Sequence, residues 1–443
     1  MSDYRAGPYP RVELFPEDDS TSGGIVRLAL VAAIGGALTG LLGGLFRWCL
    51  NQAFEFRIDL LDWANENPVA RWIIPVAIAA IAVGVARLIV RFVPEASGSG
   101  VQHVEANMRG DDEVSPLRII PAKFIGGLLA IGSGLALGRE GPTVQMGATI
   151  GNQAARLAGL SQHDRRTLTA SLAGAGLGVA FSAPLGGAMF VFEEVARAFR
   201  TRLIVATIVA TAAALAVSGW IVGSGPIFSV PDLPTGPNWH LTLYALFGLA
   251  LGAFGVAYNR LVLLLLDLVA SFRRVPPEII AGTVGGLIAL LGVFAPFLIG
   301  GGGPLNESVL IGSYSLGTLL LIFVVRLFLG PLSYSLGTPG GLFAPLLVVG
   351  AAAGSLMATT LNSLIPTLDL SPLAFAIVGM STFFAAVVRA PLTGIILIVE
   401  MTATTSQVIP MLLAAGAAMI AAKLLNGPPI YDSLRERMQP TPN

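Results

Sequence analysis

The chain has 443 residues, 54% hydrophobic and only 12% charged, with 26 basic and 26 acidic side chains that cancel. An ordinary soluble domain carries about 25% charged residues, so the composition argues for a lipid-facing protein, and its neutrality offers no footing for nucleic acid. Cys49 is the sole cysteine, and His103, His163 and His240 are far apart, so an intramolecular disulfide is excluded and no metal or other cofactor is expected.

Residues 1–23 are polar, contain Pro8, Pro10 and Pro16, and lack the apolar core of a secretory signal. They are expected to form a short cytoplasmic tail. The first apolar run extends from Ile25 to Leu50, and others follow near 71–93, 119–137, 166–192, 203–223, 241–270, 279–299, 316–333, 342–365, 373–400 and 408–425. A helical crossing takes about 20 apolar residues. Several runs are longer than that or are cut by Gly and Pro, which predicts tilted and discontinuous helices. The 53 glycines suit close helix packing better than a long-stranded barrel, so the fold class expected is an all-α polytopic membrane protein. Its membrane domain is expected over 24–431, in two repeats of approximately 24–222 and 240–431, with a short cytoplasmic tail at 432–443. Basic residues cluster at Arg165 and Arg166, at Arg197, Arg200 and Arg202, at Arg273 and Arg274, and at Arg435 and Arg437, which the positive-inside rule places in the cytoplasm.

The repeat is visible within the chain. Ala183, Pro184, Leu185, Gly187 and Glu193 recur at the same spacing as Ala390, Pro391, Leu392, Gly394 and Glu400, an offset of 207 residues. Duplicated halves of transporters usually lie in opposite orientations, with the substrate at their interface.

Three Gly-rich segments open apolar helical runs: Gly98–Gly100, Gly138–Pro142 and Gly340–Pro345. A helix start presents unpaired N–H groups and roughly half a positive charge, and glycine lets them approach an ion closely. Three such starts meeting in the membrane would hold an anion without a fixed cation; the alternative is that these glycines are kinks and packing contacts. Glu140 stands within the second segment, between Arg139 and Gly141. Its carboxylate would compete with an anion for the same N–H groups when charged and swing away when protonated, or it would form a structural pair with Arg139.

Glu193 and Glu194 close an apolar run and, as helix neighbours, point about 100° apart. Glu193 has a counterpart in Glu400 and reads as architectural. Glu194 matches Met401 and reads as an added proton-passing acid, or as a partner of Arg197. Lys123, Arg326 and Arg389 lie in or beside apolar runs and read as structural, with Glu105 a plausible partner for Lys123. On spacing alone Tyr431 is an interfacial anchor.

GSGVQ at 98–102, GREGPTVQMG at 138–147 and GGLFAP at 340–345, with APLGGAMFVFEE and RAPLTGIILIVEM beside them, resemble the signature motifs of the CLC chloride channels and chloride/proton antiporters across about 98–433. The resemblance implies a homodimeric transporter rather than an enzyme, built from inverted halves of short, tilted, discontinuous helices, in a bacterial inner membrane. It implies chloride and protons as the transported partners. It assigns chloride contacts to the hydroxyls of Ser99 and Tyr431 and to the N–H groups of Leu342 and Phe343, overturning the bland reading of Tyr431. Gly98, Gly100, Gly138, Arg139, Gly141, Gly340 and Gly341 would shape the helix starts around them. Glu140 matches the external gate, and Glu194 matches the internal proton glutamate of the antiporters, a place where passive channels of the family typically carry an apolar residue. Gln102 departs from the proline usual in the first motif. Ser99 favours chloride over nitrate. A passive gated channel of the same family, and a sodium-coupled carrier of small organic solutes sharing only the repeat logic, are the competing readings.

Overall fold

A computed structural model describes residues 22–66, 72–110, 116–231, 233, 236–312 and 314–438. The N-terminal tail is thus outside the described residues up to residue 21, and the C-terminal tail from residue 439. Seventeen α-helices appear among the described residues, and no strand does. The first half contains α1 (Ser22–Asn65), α2 (Ile73–Phe92), α3 (Val101–Arg109), α4 (Ile119–Gly132), α5 (Glu140–Leu157), α6 (Gln162–Phe181), α7 (Pro184–Phe190) and α8 (Thr201–Val222). The second contains α9 (His240–Ser271), α10 (Pro277–Phe294), α11 (Gly303–Ile311), α12 (Leu316–Ser335), α13 (Phe343–Leu364), α14 (Pro372–Val388), α15 (Pro391–Thr402) and α16 (Val408–Leu424), and α17 (Ile430–Glu436) closes the chain.

Seven helices among the described residues are long and apolar enough to cross a membrane, and four shorter apolar helices accompany them. The longest, α1 and α9, have 44 and 32 residues, well beyond the roughly 20 needed for an upright crossing and long enough to cross at a tilt. Leu30, Ile34, Ile81, Leu264 and Leu320 are exposed, the outward apolar surface that lipid, rather than water, accommodates. The interior is formed by α5, α6, α13 and α14, most of whose residues are buried.

The halves correspond helix by helix, and local chemistry explains why. α7 and α15 each begin with proline at the first helical position, where a missing N–H costs nothing and φ is already helical. Ser182 and Arg389, two residues before each proline, both take positive φ, 50° and 72°. On the flanks, a Cβ added to Gly40 of α1 would lie 2.1 Å from the carbonyl of Ala214 on α8, and one on Gly248 of α9 would lie 2.2 Å from that of Ala414 on α16. Small residues therefore set the same backbone-to-backbone approach in both halves.

The inversion is visible in two reciprocal caps. Glu193, just past α7, accepts hydrogen bonds from Leu392 N (3.1 Å) and Thr393 N (2.7 Å) at the start of α15. Glu400, near the end of α15, accepts from Leu185 N (3.0 Å) and Gly186 N (2.7 Å) at the start of α7. Each helix start meets the other's end, so the equivalent helices run antiparallel.

Candidate anion-binding site

Three loop-to-helix junctions converge at the centre. Gly138 and Gly341 exchange both backbone hydrogen bonds at 2.8 Å, and Gly340 N donates to Gly98 O at 3.1 Å. This short ladder ties the starts of α3, α5 and α13 together, although about 200 residues separate the halves. Gly98 and Gly100 have φ of 60° and 87°, a region glycine enters without strain. Ser97 Oγ donates to Gly337 O at 3.1 Å, and Lys123 Nζ donates to Gly98 O at 2.8 Å.

Glu140 is fully buried at the start of α5. Its Oε1 accepts from Phe343 N at 2.7 Å and from Ala344 N at 3.4 Å, while Oε2 is buried with no hydrogen-bond partner among the described residues. Arg139 lies within electrostatic reach of Glu140, but its Nε donates to Ala180 O at 2.9 Å. The carboxylate thus sits where the first unpaired N–H groups and the positive dipole end of α13 favour negative charge.

Ser99 and Tyr431 are buried side by side, and the hydroxyl of each lacks a hydrogen-bond partner among the described residues. Burying an unsatisfied hydroxyl is costly, so two adjoining ones form a donor pair suited to an anion. Gly141 allows the approach: a Cβ there would lie 2.7 Å from Ser99 Oγ. The Tyr431 ring packs edge-on against Phe343 with centroids 5.6 Å apart, and Phe343 is itself boxed by Phe190 and Phe384. Leu342, fully buried, precedes Phe343 as the residue before α13.

Just past α7, residues 191–195 form a single π-helical turn, a distortion common at functional sites. It sends Glu193 to the cap on α15 and turns Glu194 inward, where it is 3% exposed and 3.5 Å from Arg197. Asp432 gathers Arg109 at 3.0 Å, Arg435 at 3.3 Å and Arg197 at 3.4 Å, pinning the helix that carries Tyr431. Glu105 is buried beside Glu194, with neither carboxylate oxygen hydrogen-bonded among the described residues.

The expected pairing of Glu105 with Lys123 is not formed. The lysine is drawn to the Gly98 carbonyl, which the tight loop leaves facing it, while Glu105 turns toward Glu194. Arg326 donates to Gly300 O at 2.7 Å and Arg389 to Gly427 O at 2.7 Å. Sequence reasoning missed Tyr334, whose hydroxyl accepts from Ser99 N at 3.5 Å; the polar cluster Ser333–Ser335 closing an apolar run was its one signal. It also missed Ala344 N, which carries no side-chain signature. A fourth glycine break went unread too: Gly300 and Gly302, with φ of 83° and 96°, precede α11 as Gly98 and Gly100 precede α3.

The fold and this centre define a polytopic, inverted-repeat membrane protein with three helix starts converging at its centre. The pattern of the voltage gated chloride channel family matches residues 81–423. The chain is 38% identical to the H(+)/Cl(-) exchange transporter ClcA of Vibrio parahaemolyticus, over 92% of this chain and 89% of that one. It is equally similar to the ClcA of Vibrio cholerae, over 97% and 93%. A slow cyanobacterial Cl-/H+ antiporter superposes with a TM-score of 0.88 at 32% identity, covering 93% of this chain and 98% of that one. A CLC-type fluoride/proton antiporter shares the fold, with a TM-score of 0.76 at 20% identity over 93% and 98% of the two chains. The chain belongs to the voltage gated chloride channel family and is an integral membrane protein.

Proposed function

We propose that this protein exchanges chloride for protons across a bacterial inner membrane, with Glu140 as the gate both ions share. The observation that carries the reading is the Glu140 carboxylate lodged on the N–H groups of Phe343 and Ala344. A charged carboxylate there occupies an anion's place. Protonation removes the charge those N–H groups hold, the side chain leaves, and chloride takes the position. One residue then carries a proton and opens the anion path.

Chloride at the centre is held by the hydroxyls of Ser99 and Tyr431 and by N–H groups at Leu342 and Phe343. The glycines at 98, 100, 138, 141, 340 and 341, with Arg139, keep the backbones close enough to do so. Glu194 passes protons to the inner aqueous side, and its contact with exposed Arg197 supports that exit. The relatives' names, which pair chloride with protons, support exchange over passive conduction. The working assembly is a homodimer with both termini cytoplasmic. The linking of the basic C-terminal segment to the end of α9, through Arg437 and Asp267 at 2.5 Å, supports one shared basic face.

The test is purified protein in liposomes with a chloride gradient, no proton gradient, and potential clamped by potassium and valinomycin. Proton movement uphill, absent in Glu140→Gln and reduced in Glu194→Gln, supports exchange. Chloride flux without proton movement would overturn it and leave a gated channel.

A further inference from the structure

A second positively charged feature lies outside the ion path. Where α2 ends and α9 turns into α10, a cavity of about 570 Å³ is lined by Arg87, Arg91, Arg273 and Arg274, with Glu278 the only carboxylate among its lining residues. Glu278, whose side chain is 18% exposed, reaches the 70% exposed Arg91 at 3.7 Å and also faces Arg87, so it is shared between two of the four arginines. Four guanidinium groups against one carboxylate leave a marked excess of positive charge.

The surroundings indicate what would balance it. All four arginines stand at the ends of membrane-crossing helices or in the turn joining them. Beside them Leu88, Phe92, Phe272 and Ile279 are exposed, Phe92 by 72%. Apolar residues turned outward at a membrane boundary meet acyl chains, and a guanidinium fork matches the paired oxygens of a phosphate. Basic pockets between membrane helices recognise anionic headgroups by this chemistry.

We infer that this cavity binds the phosphodiester headgroup of an anionic membrane phospholipid, whose acyl chains lie along Leu88, Phe92 and Phe272. The flanking apolar residues favour a lipid over a soluble phosphate, because free phosphate has nothing to place against them. Ser97 lines the same cavity and donates to Gly337 O, so the lipid would sit behind the loops that carry Ser99 and Gly340. The inference does not depend on the ion-exchange reading.

The protein is placed in nanodiscs of phosphatidylcholine containing a minor fraction of phosphatidylglycerol, and lipid retained on release is identified by native mass spectrometry. Phosphatidylglycerol should be enriched several-fold on the wild type and lose that enrichment in Arg91→Gln/Arg274→Gln. Arg156→Gln/Arg166→Gln, which removes charge elsewhere, should keep it. Unchanged chloride flux of the first pair in phosphatidylcholine liposomes shows that it is folded. If that pair does not fold, Arg91→Lys/Arg274→Lys, which keeps charge but loses the fork, should weaken the enrichment. Equal loss in both Gln pairs means a general surface-charge effect and overturns the site. Enrichment retained in every cavity variant overturns it too. Inorganic phosphate that displaces phosphatidylglycerol and alone protects the protein equally against heat overturns the lipid assignment.

Discussion

Glu140 and Phe343 are 203 residues apart in the chain, yet the carboxylate of one accepts the backbone N–H of the other at 2.7 Å. The bond joins the start of α5 in one repeat to the start of α13, its counterpart in the other. It holds the carboxylate most strongly while that group is charged, because a charge-assisted hydrogen bond at a helix start is roughly twice as strong as a neutral one. The relation makes the position of the Glu140 carboxylate sensitive to its protonation.

Glu140→Gln keeps the shape and removes the ionisable group. Chloride should still cross in liposomes, and coupled proton movement should fall to background. In the wild type, chloride flux should rise as pH falls, since protonation releases the side chain; in the variant the slope should be flat. Flux assayed across a pH series reads both.

Ser99→Ala and Tyr431→Phe each remove one unpartnered hydroxyl. A hydrogen bond to a charged group contributes about 1.5 kcal/mol or more, so chloride affinity should fall roughly tenfold for each. Isothermal titration with chloride measures it. Stability should hold or rise slightly, because a buried unsatisfied hydroxyl is removed.

Gly341→Ala tests the close approach. The added methyl would lie 2.3 Å from Glu140 Oε1, so the carboxylate is forced off its N–H cradle. Proton coupling should drop severalfold while chloride still passes. Simultaneous proton and chloride flux measurements give the ratio directly.

Glu193→Ala and Glu400→Ala each strip two backbone N–H groups of a charged cap. Each should cost about 1–2 kcal/mol, seen as a lower unfolding temperature in detergent. The double variant should differ from the sum, because the capped helices pack on each other.

Asp432→Asn leaves Arg109, Arg197 and Arg435 without their shared carboxylate. The last helix should loosen, and Tyr431 with it. Chloride affinity should fall a few-fold, with less sensitivity to salt than in the wild type, whose ion pairs are screened.

Much of this protein was legible before any coordinates. The apolar runs forced membrane helices, since unbroken apolar stretches have no stable place in water. Glycine-led helix starts marked the segments at 98–100, 138–142 and 340–345 and singled out Glu140, because a loop that must bring backbone to an ion has few other residues to use, while Ser99 and Phe343 were named only by the resemblance of the motifs. The offset between Ala183 and Ala390 revealed the duplication, and Glu193 read as architectural because it was duplicated.

What the sequence left open depends on contacts between distant segments. No spacing says that Lys123 reaches Gly98 rather than Glu105, since a buried ammonium takes whichever acceptor the packing turns toward it. Tyr334 enters beneath Ser99 only because α12 is laid against the first motif from the other half. The antiparallel sense of the repeats, the π turn that parts Glu193 from Glu194, and the basic cavity at Arg87 and Arg274 are likewise tertiary. Periodicity and motif fix local conformation and chemistry. Which distant groups become partners is decided by the packing of the seventeen helices among the described residues, which brings together side chains and backbone hundreds of positions apart.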